Sequence, residues 1–185
     1  MRILLIRLRE IGDVVFTTPA IKAVRTRFPD AHLAYVVEPV AEAIVANNPH
    51  LDRVIVAPRR RGIGGLRADI ALGTRLRSER FDIAIDFHGG PRASLLAWLS
   101  RARMRLGYEV VGRSWMYSHR VPRARGLRPR HSVENQWDLL APLGIPDASR
   151  NGYPVEMALE GTVAMSVAER LSAAGVNAEI GRAHV

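Results

Sequence analysis

Cysteine is absent from this chain of 185 residues, so disulfide bonds and thiolate chemistry are excluded. Lysine is nearly absent as well. Lys22 is the only one, and the other 26 basic residues are Arg. Acidic residues are too few to balance them, and the formal charge is +9. No apolar run reaches the roughly 18 residues that would suggest a membrane span. The opening residues do not read as a secretory signal, because Arg7, Arg9, Glu10 and Asp13 interrupt the first apolar run too early. A cytoplasmic location is the expectation. The glycine fingerprint G-x-G-x-x-G of dinucleotide-binding folds is missing. No His, Asp or Glu set has metal-ligand spacing, so no metal site is expected.

What is present is an alternation of strand and helix patterns. "RILLI" (2–6), "AHLAYVV" (31–37), "DRVIVA" (52–57), "FDIAIDF" (81–87) and "RMRLGY" (103–108) read as strands. Residues 14–28, 38–49, 66–79, 92–100, 132–144 and 161–174 read as helices, with Pro19 in the first turn of its helix and Gly144 closing another. "PVEMAL" (154–159) reads as a further strand. Residues 109–130 show no periodicity. The strands are apolar throughout rather than alternating. That pattern predicts an α/β fold, a Rossmann-like parallel sheet covered by helices on both faces. Ligands of such sheets bind at the C-terminal strand ends.

Three candidate loops fall at those ends. The first is Gly12-Asp13. A Gly there admits close backbone approach, and an Asp either caps the following helix or serves as a base. Thr17 and Thr18 offer at most a hydroxyl contact. The second is Arg59-Arg60-Arg61 before Gly62-Ile63-Gly64-Gly65, read as a basic, Gly-rich loop over 58–65. Such a charge run is either a solvated surface or an anion site. The third is His88-Gly89-Gly90-Pro91-Arg92, which follows a strand ending in Asp86 and opens a helix. Further on, Arg113, Arg120, Arg123, Arg125, Arg128 and Arg130 are interleaved with Trp115, Tyr117 and His119. Basic residues among aromatics fit single-stranded nucleic acid or a phosphorylated glycan, and no nucleic-acid module accompanies them. At the next helix start, Ser132 reads as a cap and Glu134 as a dipole partner, with His131 just before them.

The succession of "LREIGDVVFTTPAIKAV", "NNPHLDRVI", "FDIAIDFHGGPRASLLAWLSRARMRLGY" and "RHSVENQWDLLAPLG" resembles glycosyltransferase family 9, the lipopolysaccharide heptosyltransferases, over residues 1 to about 145. The resemblance implies the N-terminal half of a GT-B fold, with an acceptor-binding domain over 1–160 and a linker or truncated donor domain over 161–185. It implies transfer of heptose from ADP-heptose to a Kdo–lipid A core, with inversion and no cofactor beyond the nucleotide sugar. The donor would be bound mainly by a C-terminal domain, so the chain alone is expected to be inactive. Asp13 would be the base. Gly12, Thr17, Arg59, Arg60, Arg61, His88, Arg92 and Arg120 would bind the anionic acceptor. The basic surface fits peripheral contact with the anionic inner membrane. A non-catalytic module for anionic glycans or lipid headgroups is the alternative.

Overall fold

The computed structural model describes residues 1–122, 131–158 and 161–175. Six parallel strands form one sheet: β1 (Arg2–Ile6), β2 (His32–Val37), β3 (Arg53–Val56), β4 (Ile83–Asp86), β5 (Met104–Tyr108) and β6 (His119–Val121). Their order is β3-β2-β1-β4-β5-β6. The chain therefore winds outward from β1 in both directions. The order reverses between β1 and β4, which makes their C-terminal ends the place for a ligand.

Side chains of β1 alternate between two cores. Ile3 and Leu5 join Tyr35, Ile85, Val14, Ile21 and Trp137. Leu4 and Ile6 join Val36, Ala84, Leu76 and Leu96. The first face is covered by α1 (Ile11–Val15), α2 (Thr18–Arg27), α3 (Glu42–Val45) and α6 (Ser132–Asp138). The second is covered by α4 (Gly62–Ser78) and α5 (Pro91–Leu99). Every residue from Ile3 to Ile6 is fully buried, which is why the strand reads as an unbroken apolar run. Each such side chain contributes about 1.5–3 kcal/mol through burial. A further helix, α7 (Gly161–Ala173), closes the described chain.

Several boundaries differ from the sequence expectation, each for a local reason. The helix expected over 14–28 is two helices. Pro19 has no N–H for the carbonyl of Val15, and the Thr18 hydroxyl donates to that carbonyl instead, at 2.8 Å. The Thr17 hydroxyl also donates to the Val14 carbonyl, at 2.5 Å, beside the Thr17 amide. Gly62–Gly65 is not loop but the first turn of α4, where Gly65 lies against the Arg60 carbonyl. The helix expected over 132–144 stops at Asp138, because Pro142 cannot donate to it. A single 3₁₀ turn (Ala141–Leu143) follows, with Gly144 at φ 73° after it. Residues 154–158 are not a strand. Glu156 pairs with Lys22 at 2.5 Å, and its amide donates to Thr18 Oγ1 at 3.0 Å, so this segment docks on α2 rather than on the sheet. Residue 159 and the 123–130 part of the arginine-rich stretch lie outside the described residues.

An unexpected strand, β6, lies inside that stretch. Gly107 on β5 pairs with Arg120 there, and the Tyr117 ring fills the place of the missing side chain. A Cβ at Gly107 would come within 2.3 Å of that ring. Gly107→Ala is therefore expected to destabilise the fold by about 1–3 kcal/mol through overpacking. Urea unfolding checks this, and an unchanged midpoint would contradict the packing described.

Candidate functional site

Arg7 follows β1 directly, and its amide extends the sheet by donating to Val36 at 3.1 Å. Its guanidinium is buried, with 8% of the residue exposed. Nη1 donates to the Phe87 carbonyl at 2.5 Å, and Nη2 forms an ion pair with Asp13 Oδ2. The other carboxylate oxygen of Asp13 accepts from Ser132 Oγ at 2.9 Å. The Asp13 carbonyl accepts from Gln136 Nε2 at 3.2 Å. Ser132 and Gln136 are four residues apart on α6, so one helix face reaches Asp13 twice. The Asp13 side chain stays 32% exposed. The result is a carboxylate fixed by two donors at the sheet's C-terminal edge, with one side open. A Cβ on Gly12 would meet nothing within 4 Å, so the neighbouring backbone is open too.

Asp86 ends β4 and is fully buried. Its Oδ1 accepts from the amides of His88 at 2.8 Å and Gly89 at 2.9 Å. Its Oδ2 accepts from the Tyr117 hydroxyl at 2.6 Å, and that hydroxyl shares a hydrogen bond with Ser94 Oγ at 2.7 Å. Burial pushes the Asp86 carboxyl above its ordinary value, against the pull of these donors, Tyr117 first. Burial and then the Asp86 charge push the Tyr117 hydroxyl up as well. This buried network sets the loop that follows. Gly89 takes φ 69°, a left-handed conformation that side chains other than Gly rarely adopt. Gly90 leaves room for the His88 ring, whose Cδ2 would lie 2.6 Å from a Cβ there.

His88 lines a cavity of about 220 Å³ with Leu8, Arg9, Glu38, Arg59 and Arg92. Burial, and next the Arg7 charge, hold its imidazole below the usual histidine range, so it is neutral at pH 7. Its Nδ1 is buried with no hydrogen-bond partner among the described residues. The cavity thus has a cationic wall, a neutral imidazole and the buried Glu38 carboxylate.

The structure sorts the candidates. Asp13 is at the edge, but it caps nothing: α1 starts at Ile11 with Glu10 in the cap position, and the Asp13 carboxylate goes to Arg7 and Ser132. Arg59 and His88 share a cavity, and Asp13 is not among its lining residues. Arg60 lines a different pocket, of about 250 Å³, behind the loop, and Arg61 occupies the cap position of α4. Two candidates are engaged inside the fold. Thr17 is fully buried, its hydroxyl bonded to Val14 and to Tyr35 Oη at 2.7 Å, so it faces the core. Arg92 is not free for an anion: it pairs with Glu38 at 2.7 Å and Asp69 at 2.8 Å, and it donates to the carbonyls of Ala57 and Pro58. Arg120 is exposed on the edge strand β6, away from both cavities. Ser132 is not the helix cap either; the ring nitrogen of His131 accepts from Val133 at 3.3 Å, and Ser132 is left to hold Asp13. Tyr117 is buried under Asp86, and only Trp115 of the interleaved aromatics is a large exposed ring, stacked edge-on with Trp98.

Arg7 and Gln136 are the residues that sequence reasoning passed over. The signal for Arg7 is a cation placed directly after a fully buried strand. Among the described residues no helix is long and apolar enough to cross a membrane.

The sequence model of glycosyltransferase family 9 (heptosyltransferase) matches residues 70–173, more than half of the chain. Lipopolysaccharide heptosyltransferase 3 of Escherichia coli K12 is 26% identical over 144 residues, which cover 74% of this chain and 40% of that protein. A solved family 9 glycosyl transferase from Veillonella parvula superposes with a TM-score of 0.80 at 24% identity, over 95% of this chain and 50% of that one. The Escherichia coli heptosyltransferase WaaC, solved with ADP-2-deoxy-2-fluoro heptose, superposes with a TM-score of 0.64 at 22% identity, over 86% of this chain and 51% of that one. The chain spans about half the length of the solved relatives and less of the curated one. These solved structures share the Rossmann-like sheet.

The raised carboxyl of Asp86 has a consequence for stability. Above the ordinary value of 3.8 the unfolded chain has released a proton that the folded chain still holds. Stability is therefore lost as pH rises from about 4 through the raised value. Asp86→Asn keeps an acceptor for the His88 and Gly89 amides and removes this slope. Its stability relative to the wild type is expected to rise between acid and neutral pH. Urea unfolding at both pH values checks this, and identical slopes would contradict it.

Proposed function

The chain belongs to glycosyltransferase family 9, and from that premise we propose that it is the acceptor-binding half of an inverting heptosyltransferase of lipopolysaccharide synthesis. Donor and acceptor are ADP-heptose and a Kdo–lipid A core. A second domain holds the donor, and no further cofactor takes part. The names of the relatives support the reaction class: one is a lipopolysaccharide heptosyltransferase, and another was solved with an ADP-heptose analogue.

The observation that carries the reading is the fixed, half-open carboxylate of Asp13. In an inverting transfer an acceptor hydroxyl attacks the anomeric carbon from the face opposite the nucleotide. The new C–O bond forms, the bond to the ADP oxygen breaks, and the hydroxyl proton passes to Asp13. Arg7 and Ser132 each hold one carboxylate oxygen, so the group keeps its aim without filling every lone pair. The transition state of such a transfer is oxocarbenium-like, and the proton moves late. Arg59 is exposed beside the His88 cavity and makes no ion pair among the described residues, which suits it to the acceptor's carboxylate or phosphates. The lipid portion of that acceptor places the enzyme at an anionic membrane surface.

Asp13→Asn in the two-domain protein is expected to lower kcat by about 10²–10⁴ while acceptor affinity is kept. Steady-state kinetics with a deacylated acceptor check this. Turnover near the wild-type rate would remove Asp13 from the role of base.

A further inference from the structure

Helix α4 buries Gly65, Gly73 and Leu76 against the sheet and α5. Beside that strip, Ile63, Leu66 and Ile70 are 75%, 54% and 46% exposed. At the helical turn these three fall within an arc of about 60° that adjoins the buried one. Three large apolar side chains left open on one arc form a patch that the packing of α4 does not account for. Six exposed arginines lie on α4 or just before it: Arg59, Arg60 and Arg61 before the helix, and Arg67, Arg75 and Arg77 on it, Arg67 and Arg77 flanking the stripe. None of the six is in an ion pair among the described residues. The one acidic residue of α4, Asp69, is bound to Arg92.

We propose that this face of α4 docks on an anionic lipid bilayer. Ile63, Leu66 and Ile70 enter the boundary between headgroups and acyl chains, and the arginines bind lipid phosphates. The charge selects this occupant. A second copy of the chain would set six arginines against six across a two-fold axis, at a net +9 on each side. An anionic bilayer answers both the apolar stripe and the unpaired cations. Docking also brings the loop over residues 57–61, and with it the Arg59 and His88 cavity, to headgroup level. The inference deepens the glycolipid-acceptor reading and rests on it only for why a bilayer is at hand.

The test is sedimentation of the protein with vesicles of phosphatidylcholine alone or mixed with phosphatidylglycerol, with no acceptor or donor present. Binding to the mixed vesicles, weakened by salt, is expected. Ile63→Ser, Leu66→Ser and Ile70→Ser together are expected to lower the partition coefficient about tenfold with an unchanged circular dichroism spectrum, since all three side chains are exposed. Arg67→Glu with Arg77→Glu is expected to lower it as well. Three results would overturn the docking face: no binding to mixed vesicles, binding equal in the triple variant and the wild type, or a dimer in sedimentation velocity that the triple variant abolishes. Calorimetry with a deacylated acceptor separates this inference from the functional reading. Acceptor binding without vesicle binding sinks the docking alone, and vesicle binding without acceptor binding sinks the acceptor reading alone.

Discussion

A guanidinium buried at the end of a central strand needs partners for its charge, and at Arg7 the two it has set the geometry around them. One is the Phe87 carbonyl, just past β4. The other is the Asp13 carboxylate, on α1. The same side chain therefore ties the two strands at the topological switch to the first helix. α6 then fixes Asp13 from the other side through Ser132 and Gln136. Remove Arg7, and the Phe87 carbonyl loses its side-chain donor while the Asp13 carboxylate is left with Ser132 alone. The Asp86 network does the equivalent work for the neighbouring loop, with neutral and amide donors in place of a cation.

Much of the sheet was legible because strands buried on both faces are written as apolar runs. β1, β2, β3, β4 and β5 were found within a residue or two at each end. β6 was not, because an edge strand of three residues with His119 and Arg120 exposed has no apolar pattern to show. The break before α2 was hidden because the hydroxyl of Thr18 stands in for the missing N–H of Pro19, a replacement that periodicity does not record.

The site was legible in position and less so in its partners. Gly12-Asp13, Arg59 and His88 do lie at the C-terminal strand ends. The internal pairing of Arg92 was not legible, because its partners Glu38 and Asp69 are 54 and 23 residues away in the chain. Ser132 was misread for the same reason, since it lies 119 residues from Asp13. A composition rich in Arg gives no sign of which guanidinium is spent inside the fold and which is left for a ligand. The structure separates Arg7 and Arg92, which are internal, from the exposed group around α4.

The central claim is that an acceptor sits against the edge where Arg7 holds Asp13. The most direct measurement is a titration of the isotopically labelled chain with a soluble, deacylated Kdo–lipid A core, followed through its backbone amide resonances. The account predicts salt-sensitive shifts concentrated at Gly12, Asp13, His88, Gly89 and Ser132. Saturable shifts confined to the opposite end of the sheet, or no shifts at low salt, would contradict it.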